Sequence, residues 1–197
     1  NPQIKNNKIE LGAISGVNGQ NYGVFAVNTN NSSEINLLVE ANDVKVGTST
    51  LVSSAIFCTG TTQLAKLNLD AKANQLFTDK SKNSSGVAMG LMVSGGSLDD
   101  TAFFTSANIE ANIITGNQSS PSFLGAGIVL NRAKDGEVAV VKNNVVVPAM
   151  SSQMLGLAAI EASADVLNNT WVNTAVVGVG MGGQAIFIDD KDAVADT

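Results

Sequence analysis

A motif that recurs every 28 to 37 residues constrains this chain more than any other feature of its sequence. Each copy has a small residue followed by a short apolar run. The six copies occupy residues 23–27, 54–58, 90–93, 127–130, 156–160 and 184–188. Self-similarity on this scale is typical of solenoid proteins, in which each repeat is one turn that stacks on the next. We therefore expect a repeated architecture in which the turns differ mainly in loop length.

The segment that follows each apolar run alternates between apolar and polar residues with a period of two. In residues 35–46 the alternation changes phase at Asn42, which predicts two β-strands joined by a bend. The same bend is predicted near Asn74, near Asn108, at residues 143–144 and at residues 168–169. Asparagine tolerates left-handed backbone angles, and stacked asparagine side chains can pair with one another as a ladder.

Short strands separated by polar turns cannot each bury two faces. Successive coils stacked in register pair the backbone hydrogen-bonding groups and bury similar side chains against one another. We predict an all-β fold, a right-handed parallel β-helix (β-solenoid) of about six turns and roughly 29 Å in length. An antiparallel β-sandwich is the main alternative, and an α/β fold is a further one. Residues 153–164 have a helix-like composition, but they lie in register with the repeat and are interpreted as strand. Residues 1–197 are expected to form one β-solenoid domain or a fragment of a longer one.

The composition excludes several kinds of chemistry. The chain has no histidine, one cysteine (Cys58) and one arginine (Arg132), so it has no disulfide within the chain, no His-ligated zinc and no histidine base. The net charge is −6 and the ten lysines are scattered, which argues against binding to nucleic acid. No apolar run is long enough to cross a bilayer as a helix, so we expect no membrane insertion of this segment.

One glycine-rich segment matches a dinucleotide-binding pattern. Residues 178–183 (GVGMGG) fit GxGxxG, a loop whose backbone amides can bind a pyrophosphate at the start of a helix. The pattern requires a helix to follow, whereas residues 184–188 have the character of a strand. We interpret residues 178–183 as a glycine turn and expect no cofactor.

Two groups of acidic residues are candidates for a catalytic or metal site. Asp99 and Asp100 are adjacent, and neighbouring residues of a strand point to opposite faces, so they do not predict a catalytic pair. Asp189, Asp190 and Asp192 lack the glycine and the distal glutamate of a calcium-binding EF-hand loop. We assign no catalytic, cofactor-binding or metal-ligating residue.

Three further features are interpreted structurally. Cys58 lies in an apolar run and is predicted to be a core residue, since no histidine can activate its thiol. Trp171 is either a core residue or an exposed contact. Residues 132–137, which include Arg132 and three other charged residues, are interpreted as a solvated turn.

The repeat resembles a known family. Residues 22–47 (YGVFAVNTNNSSEINLLVEANDVKVG) and 54–77 (SAIFCTGTTQLAKLNLDAKANQLF) are similar to turns of a bacterial autotransporter passenger domain, the β-helical part of a type V secreted surface protein. The similarity extends over residues 8–190. It implies a parallel β-helix that is exported across the outer membrane and acts as an adhesin or a self-associating surface protein. The family's C-terminal membrane barrel and signal segment are missing here, so we expect a fragment or a processed subunit.

The resulting functional hypothesis is a non-enzymatic β-helix at the cell surface or in the extracellular space, acting in adhesion or self-association. Expected partners are a surface protein or glycan of a host or neighbouring cell, and a homo-oligomer formed by edge or end stacking. One alternative is a self-assembling structural subunit of an extracellular filament or coat. Another is a polysaccharide-acting β-helix enzyme, although no catalytic residue carries over because the triad of protease-bearing autotransporters needs a histidine.

Overall fold

The computed structural model describes residues 1–15, 18–30, 33–47, 49–61, 65–80, 87–95, 103–118, 124–134, 136–147, 153–172 and 184–189. These residues form β-strands and turns without a helix. The first three turns comprise β1 (Gln3–Lys5), β2 (Lys8–Leu11), β3 (Gln20–Asn28), β4 (Glu34–Glu40), β5 (Asp43–Val46), β6 (Val52–Gly60), β7 (Lys66–Lys72), β8 (Gln75–Lys80) and β9 (Val87–Gly95). The last three comprise β10 (Ser106–Glu110), β11 (Ile113–Gln118), β12 (Leu124–Asn131), β13 (Val138–Lys142), β14 (Val145–Val147), β15 (Gln153–Ile160), β16 (Ser163–Leu167), β17 (Thr170–Trp171) and β18 (Gln184–Asp189).

The strands form three parallel sheets of six strands each. Sheet A contains the first strand of every turn, sheet B the second and sheet C the third, always in the order of the turns. Each strand therefore pairs with the strand three elements later, as β4 pairs with β7. This topology is a parallel β-helix of about six turns, which confirms the predicted fold class and excludes the antiparallel β-sandwich. Residues 153–164 are strand, as predicted, and the right-handed sense of the coil stays a prediction.

Files of apolar side chains, one from each turn, fill the inside of the coil. In sheet A one file consists of Val39, Ala71, Ile109 and Val141, which pair in register and are completely buried. Each added turn lengthens every file and removes more apolar surface from water, at about 25 cal/mol per Å². The core is therefore continuous along the axis, and each turn depends on its neighbours for burial.

The small residue of each repeat lies where the side chains of sheet B pack against the backbone of sheet C. A Cβ atom at Gly127 would lie 2.1 Å from Cγ1 of Val146 and 2.8 Å from the carbonyl oxygen of Gly156. In the last turn Trp171 replaces Val146, and a Cβ atom at Gly156 would lie 2.6 Å from the Trp171 ring. Trp171 is partly buried and packs against the core, which decides between the two interpretations of this residue.

The corner between sheets A and B has the same two-residue geometry in every turn. The first residue has a positive φ of 54° to 58°, and it is Asn6, Ala41, Ala73, Ala111, Asn143 or Asn168. The second residue is asparagine in all six turns, at positions 7, 42, 74, 112, 144 and 169. The predicted bends at Asn42, Asn74, residues 143–144 and residues 168–169 are confirmed.

The bend predicted near Asn108 is wrong. Asn108 lies inside β10, and the corner falls four residues later, at Asn112. The sequence has an asparagine at position 108 and another at position 112. The pairing of β10 with its neighbours decides which of the two lies at the corner. Asn7 also occupies a corner that the repeat pattern did not predict, because the first turn has no preceding apolar run.

Candidate functional site

The six corner asparagines form a hydrogen-bonded ladder that runs the length of the coil. Asn74 donates to Oδ1 of Asn112 from its backbone N–H at 3.0 Å and from its side-chain amide at 2.9 Å. The other four steps of the ladder repeat this pair of bonds at 2.9 to 3.1 Å. Five of the amides also donate to a backbone carbonyl of the preceding turn. Since each buried polar group has partners, the ladder is a structural element that sets the register of the turns.

A file of alternating charge borders the ladder on sheet A. Lys5, Glu40, Lys72, Glu110 and Lys142 pair in register, so unlike charges face each other at every step. Nζ–carboxylate distances are 3.0 Å between Lys5 and Glu40, 3.9 Å between Lys72 and Glu40, and 3.3 Å between Lys142 and Glu110. The hydrogen bond from Lys5 lowers the pKa of Glu40, and the positive charges of Lys5 and Lys72 act in the same direction. Alternation of charge favours one stacking register over its neighbours.

An open groove of about 400 Å³, lined by both polar and apolar residues, lies on the outer face of sheet A. Its floor includes Asn36, Asn68, Asp70, Ser106 and Asn108. The amide of Asn68 donates to Oδ1 of Asn36 at 2.7 Å, and the amide of Asn108 donates to Oδ1 of Asp70 at 2.9 Å. These amide, carboxylate and hydroxyl groups are of the kind that bind hydroxyl-rich ligands.

The outer face of sheet C is apolar. Its residues form a cluster separate from the core, on the opposite side of the sheet from Ile56, Leu91 and Leu157. The members are Met89, Ala126, Val129 and Ala158, with Val52, Phe57, Val87, Met92, Leu155 and Phe187 packed against them. Met89, Ala126, Val129 and Ala158 are 2 to 8% exposed, so the apolar surface that this face offers to a partner comes from the partly buried residues around them.

Three aromatic rings extend this face at the first two turns. The ring centroids of Tyr22 and Phe25 lie 4.9 Å apart with nearly parallel planes, and Phe57 lies 4.9 Å from Tyr22 and 5.6 Å from Phe25. We call these three residues the aromatic cluster. Phe25 is 55% exposed although it is a large apolar side chain. The cluster presents a rigid apolar surface with one hydroxyl group, a combination that is enriched in binding interfaces.

Sequence reasoning missed both outer faces, although signals for them were present. In the apolar runs, consecutive residues such as Val24 and Phe25 are both apolar. Since consecutive residues of a strand point to opposite faces, this pattern predicts a strand with two apolar faces. In each of the first five turns a charged residue lies two positions before the corner asparagine, and its sign changes from one turn to the next.

Most residues considered as catalytic or metal sites lie outside the described part of the chain. They are Asp99, Asp100, Asp190, Asp192 and the glycine-rich residues 178–183. The strand predicted directly after residue 183 is confirmed as β18, and Asp189 is its last residue. Of the acidic residues and the glycine-rich segment, the structure describes Asp189 alone.

The surroundings of Cys58 and Arg132 indicate a structural role for both residues. Cys58 is completely buried, as predicted, and burial raises the pKa of its thiol to about 12. Arg132 donates from Nε to Oε2 of Glu161 at 3.1 Å, and each of the two side chains is 19% exposed. Arg132 therefore links two consecutive turns, whereas the sequence suggested a solvated turn.

No three His, Cys, Asp or Glu residues in the described ranges are arranged to hold a metal ion. The same ranges contain no helix of the length and apolar character needed to cross a membrane. Comparison of the chain with protein-family models, with curated proteins and with solved structures found no match. The assignment as a β-helix therefore rests on the topology of the three parallel sheets.

Proposed function

We propose that this chain is a non-enzymatic β-helix protein of the bacterial cell surface, of the autotransporter passenger type, that acts in adhesion or self-association. The observation that carries the proposal is the apolar outer face of sheet C, which the aromatic cluster extends. The similarity of the individual turns to passenger repeats supports the cellular location.

The physical basis is the free energy that this face releases on contact with a partner. Contiguous apolar patches on soluble proteins mark sites of interaction, because covering them removes apolar surface from water. Phe25 and Phe57 lie on paired strands of a stacked scaffold, so little side-chain freedom is lost on binding. The partner is a protein surface of a host cell or of a neighbouring bacterium.

The proposal is tested by display of the chain on a non-aggregating bacterial strain. We expect faster settling of the cells in suspension or greater attachment to an epithelial monolayer than for the parent strain. Phe57→Ser is expected to reduce the gain several-fold, since one partly exposed aromatic anchor can contribute about 1 to 3 kcal/mol to binding. Phe77→Ser is the matched control, because Phe77 is a half-buried phenylalanine on sheet B. Settling and attachment equal to those of the parent strain would refute the proposal.

A glycan ligand is the second candidate, and the amide and carboxylate groups in the groove on sheet A favour it. Asn36 and Asn108 each keep side-chain hydrogen-bonding capacity beyond the bond within the groove. Binding of the purified chain to a glycan array, lost on Asn36→Ala with Asn108→Ala, would support this candidate. Retention of binding by the double variant would place the glycan elsewhere.

A further inference from the structure

The outer face of sheet B changes from charged to apolar along the coil. Its outward residues form two files that pair in register from turn to turn. In the first two turns the first file consists of Lys8 and Asp43, and the second of Glu10 and Lys45. The later turns continue the first file with Gln75, Ile113, Val145 and Thr170, and the second with Phe77, Thr115, Val147 and Val172. The last three of these turns therefore present β-branched residues in both files.

The β-branched part of this face is open to solvent. Ile113, Val145 and Val172 are 47%, 38% and 39% exposed, whereas the inward residues of the same strands, such as Ile114, are buried. Ile113 and Val145 are in-register neighbours, so they form one continuous surface. β-branched side chains suit the packing of two sheets about 10 Å apart. A second sheet laid on this face would therefore remove apolar surface from water.

The charge pattern of the first two turns selects a partner and an orientation. When two copies pack face to face about a two-fold axis parallel to the coil, each turn meets the same turn of the other copy and the two files exchange sides. Lys8 then faces Glu10 of the second copy, and Asp43 faces Lys45 of the second copy. Lys8, Glu10 and Lys45 are 54 to 73% exposed, so their side chains can reach across the contact. Unlike charges meet in the first two turns, and β-branched residues meet in the last three.

The antiparallel orientation does not fit this pattern. With the coils antiparallel and all six turns in contact, Lys8 would face Thr170 and Asp43 would face Val145 of the second copy. The charged groups would then lose water without gaining a partner. An antiparallel overlap of the first two turns would pair the charges but leave the β-branched turns uncovered. The parallel orientation covers both parts of the face.

We propose that the outer face of sheet B binds the same face of a second copy of this chain, with the two coils parallel. The interface is isologous, since each copy contributes the same surface. Over six turns the face measures roughly 29 Å by 10 Å, which is small for a permanent interface, so the dimer is reversible. This inference goes beyond the proposed function, because the outer face of sheet C takes no part in it. A parallel dimer joins copies on one cell and does not bridge two cells, so Phe77→Ser remains a control for attachment between cells.

Sedimentation velocity of the purified 197-residue chain tests the dimer. We expect a monomer–dimer equilibrium with a dissociation constant of roughly micromolar or weaker. Ile113→Lys is expected to raise this constant by about tenfold or more, because its ammonium would be covered without a partner. Val138→Lys is the matched control: Val138 is 46% exposed on sheet A, and its variant is expected to dimerise like the parent. A chain that stays monomeric up to about 1 mM would overturn the inference.

An exchange of charge tests the orientation. Lys8→Glu and Glu10→Lys each set like charges against each other twice in the dimer, so each variant alone is expected to dimerise about tenfold more weakly or worse. An equal mixture of the two variants is expected to recover the affinity of the parent, since unlike charges then face each other between the copies. A mixture as weak as the single variants would refute the parallel dimer. Unchanged circular dichroism and urea midpoints would verify that the variants fold.

The dimer and the proposed function fail separately. Self-association that is unaffected by the sheet B variants but lost in Phe57→Ser would place the contact on sheet C and overturn the inference. A dimer in solution without faster settling or greater attachment of the displaying cells would support the inference and refute the proposed function.

Discussion

Oδ1 of Asn112 accepts two hydrogen bonds from Asn74, one from the backbone N–H at 3.0 Å and one from the side-chain amide at 2.9 Å. A single oxygen thus satisfies two donors in the buried corner of the preceding turn. The same amide group of Asn112 donates to the carbonyl of Ala71 at 2.9 Å. Leucine has a similar volume but would leave these groups without partners.

Asn112→Leu is therefore expected to lower the free energy of unfolding by on the order of 3 kcal/mol. Asn108→Leu is the control, because Asn108 lies on the outer face of the same turn and makes one bond, to Asp70. Its effect is expected to stay within about 0.5 kcal/mol. Urea denaturation followed by circular dichroism measures both variants. Equal effects at the two positions would contradict the structural role of the ladder.

The positive φ of the corner residues predicts a stabilising substitution. Ala111 has φ 55°, a conformation that costs an alanine about 1 to 2 kcal/mol and glycine little. Part of the gain is offset by the greater freedom of glycine in the unfolded chain, so Ala111→Gly is expected to stabilise by about 0.5 to 1 kcal/mol. Ala107→Gly makes the same chemical change in a buried strand position and should destabilise. Thermal unfolding of the two variants should give shifts of opposite sign, and shifts of the same sign would argue against this corner geometry.

Close packing at the small residue of the repeat predicts a strong effect of one methyl group. Gly127→Ala places Cβ against the Val146 side chain and the Gly156 carbonyl, and the backbone carbonyl cannot move without disturbing the next turn. We expect a loss of about 2 to 3 kcal/mol in the free energy of unfolding. Gly60→Ala is the control, because its Cβ would lie 3.4 Å or more from other atoms. A variant at position 127 as stable as the one at position 60 would disprove the close approach of sheets B and C.

The lowered pKa of Glu40 predicts a pH dependence of stability. The folded state binds a proton at Glu40 less readily than the unfolded chain does, because Lys5 donates a hydrogen bond to the carboxylate. The stabilisation is complete above the ordinary pKa of a glutamate, and it is lost as the pH falls through the lowered pKa of the folded state. The parent should exceed Glu40→Gln in urea midpoint at neutral pH, and the difference should shrink as the pH falls below the ordinary pKa of a glutamate. A difference that does not vary with pH would contradict this ion pair.

Burial of Cys58 predicts that its thiol does not react in the folded protein. With a pKa of about 12 the thiol stays protonated at neutral pH, and the core keeps alkylating reagents away from it. Iodoacetamide is expected to label the chain only at urea concentrations that unfold it. Since the sequence contains one cysteine, the mass increase reports on Cys58 alone. Stoichiometric labelling without urea would show that the thiol is accessible.

The sequence by itself determined the class of fold. Apolar runs recurring every 28 to 37 residues and alternation with a period of two are local properties, and both survive in the structure as strands of sheets A, B and C. The asparagine at the bend was also readable, because asparagines recur near the same phase of the repeat. The expected reason, tolerance of left-handed backbone angles, does not apply to these asparagines, since the residue before each of them has the positive φ. The burial of Cys58 followed from its apolar neighbours.

Only the tertiary structure decided which residues of neighbouring turns meet. Asn108 and Asn112 are equivalent as sequence, and the pairing of β10 with β7 places one on the outer face and the other in the ladder. Phe25 and Phe57 lie 32 residues apart, and the charges of Lys5 and Glu40 lie 35 apart, yet each pair is in register. Such contacts depend on the length of the loops between turns, since one residue of slip moves every side chain to the other face of its strand. The local sequence pattern determines the shape of each turn, and the stacking of the turns determines which residues lie next to one another on the surface.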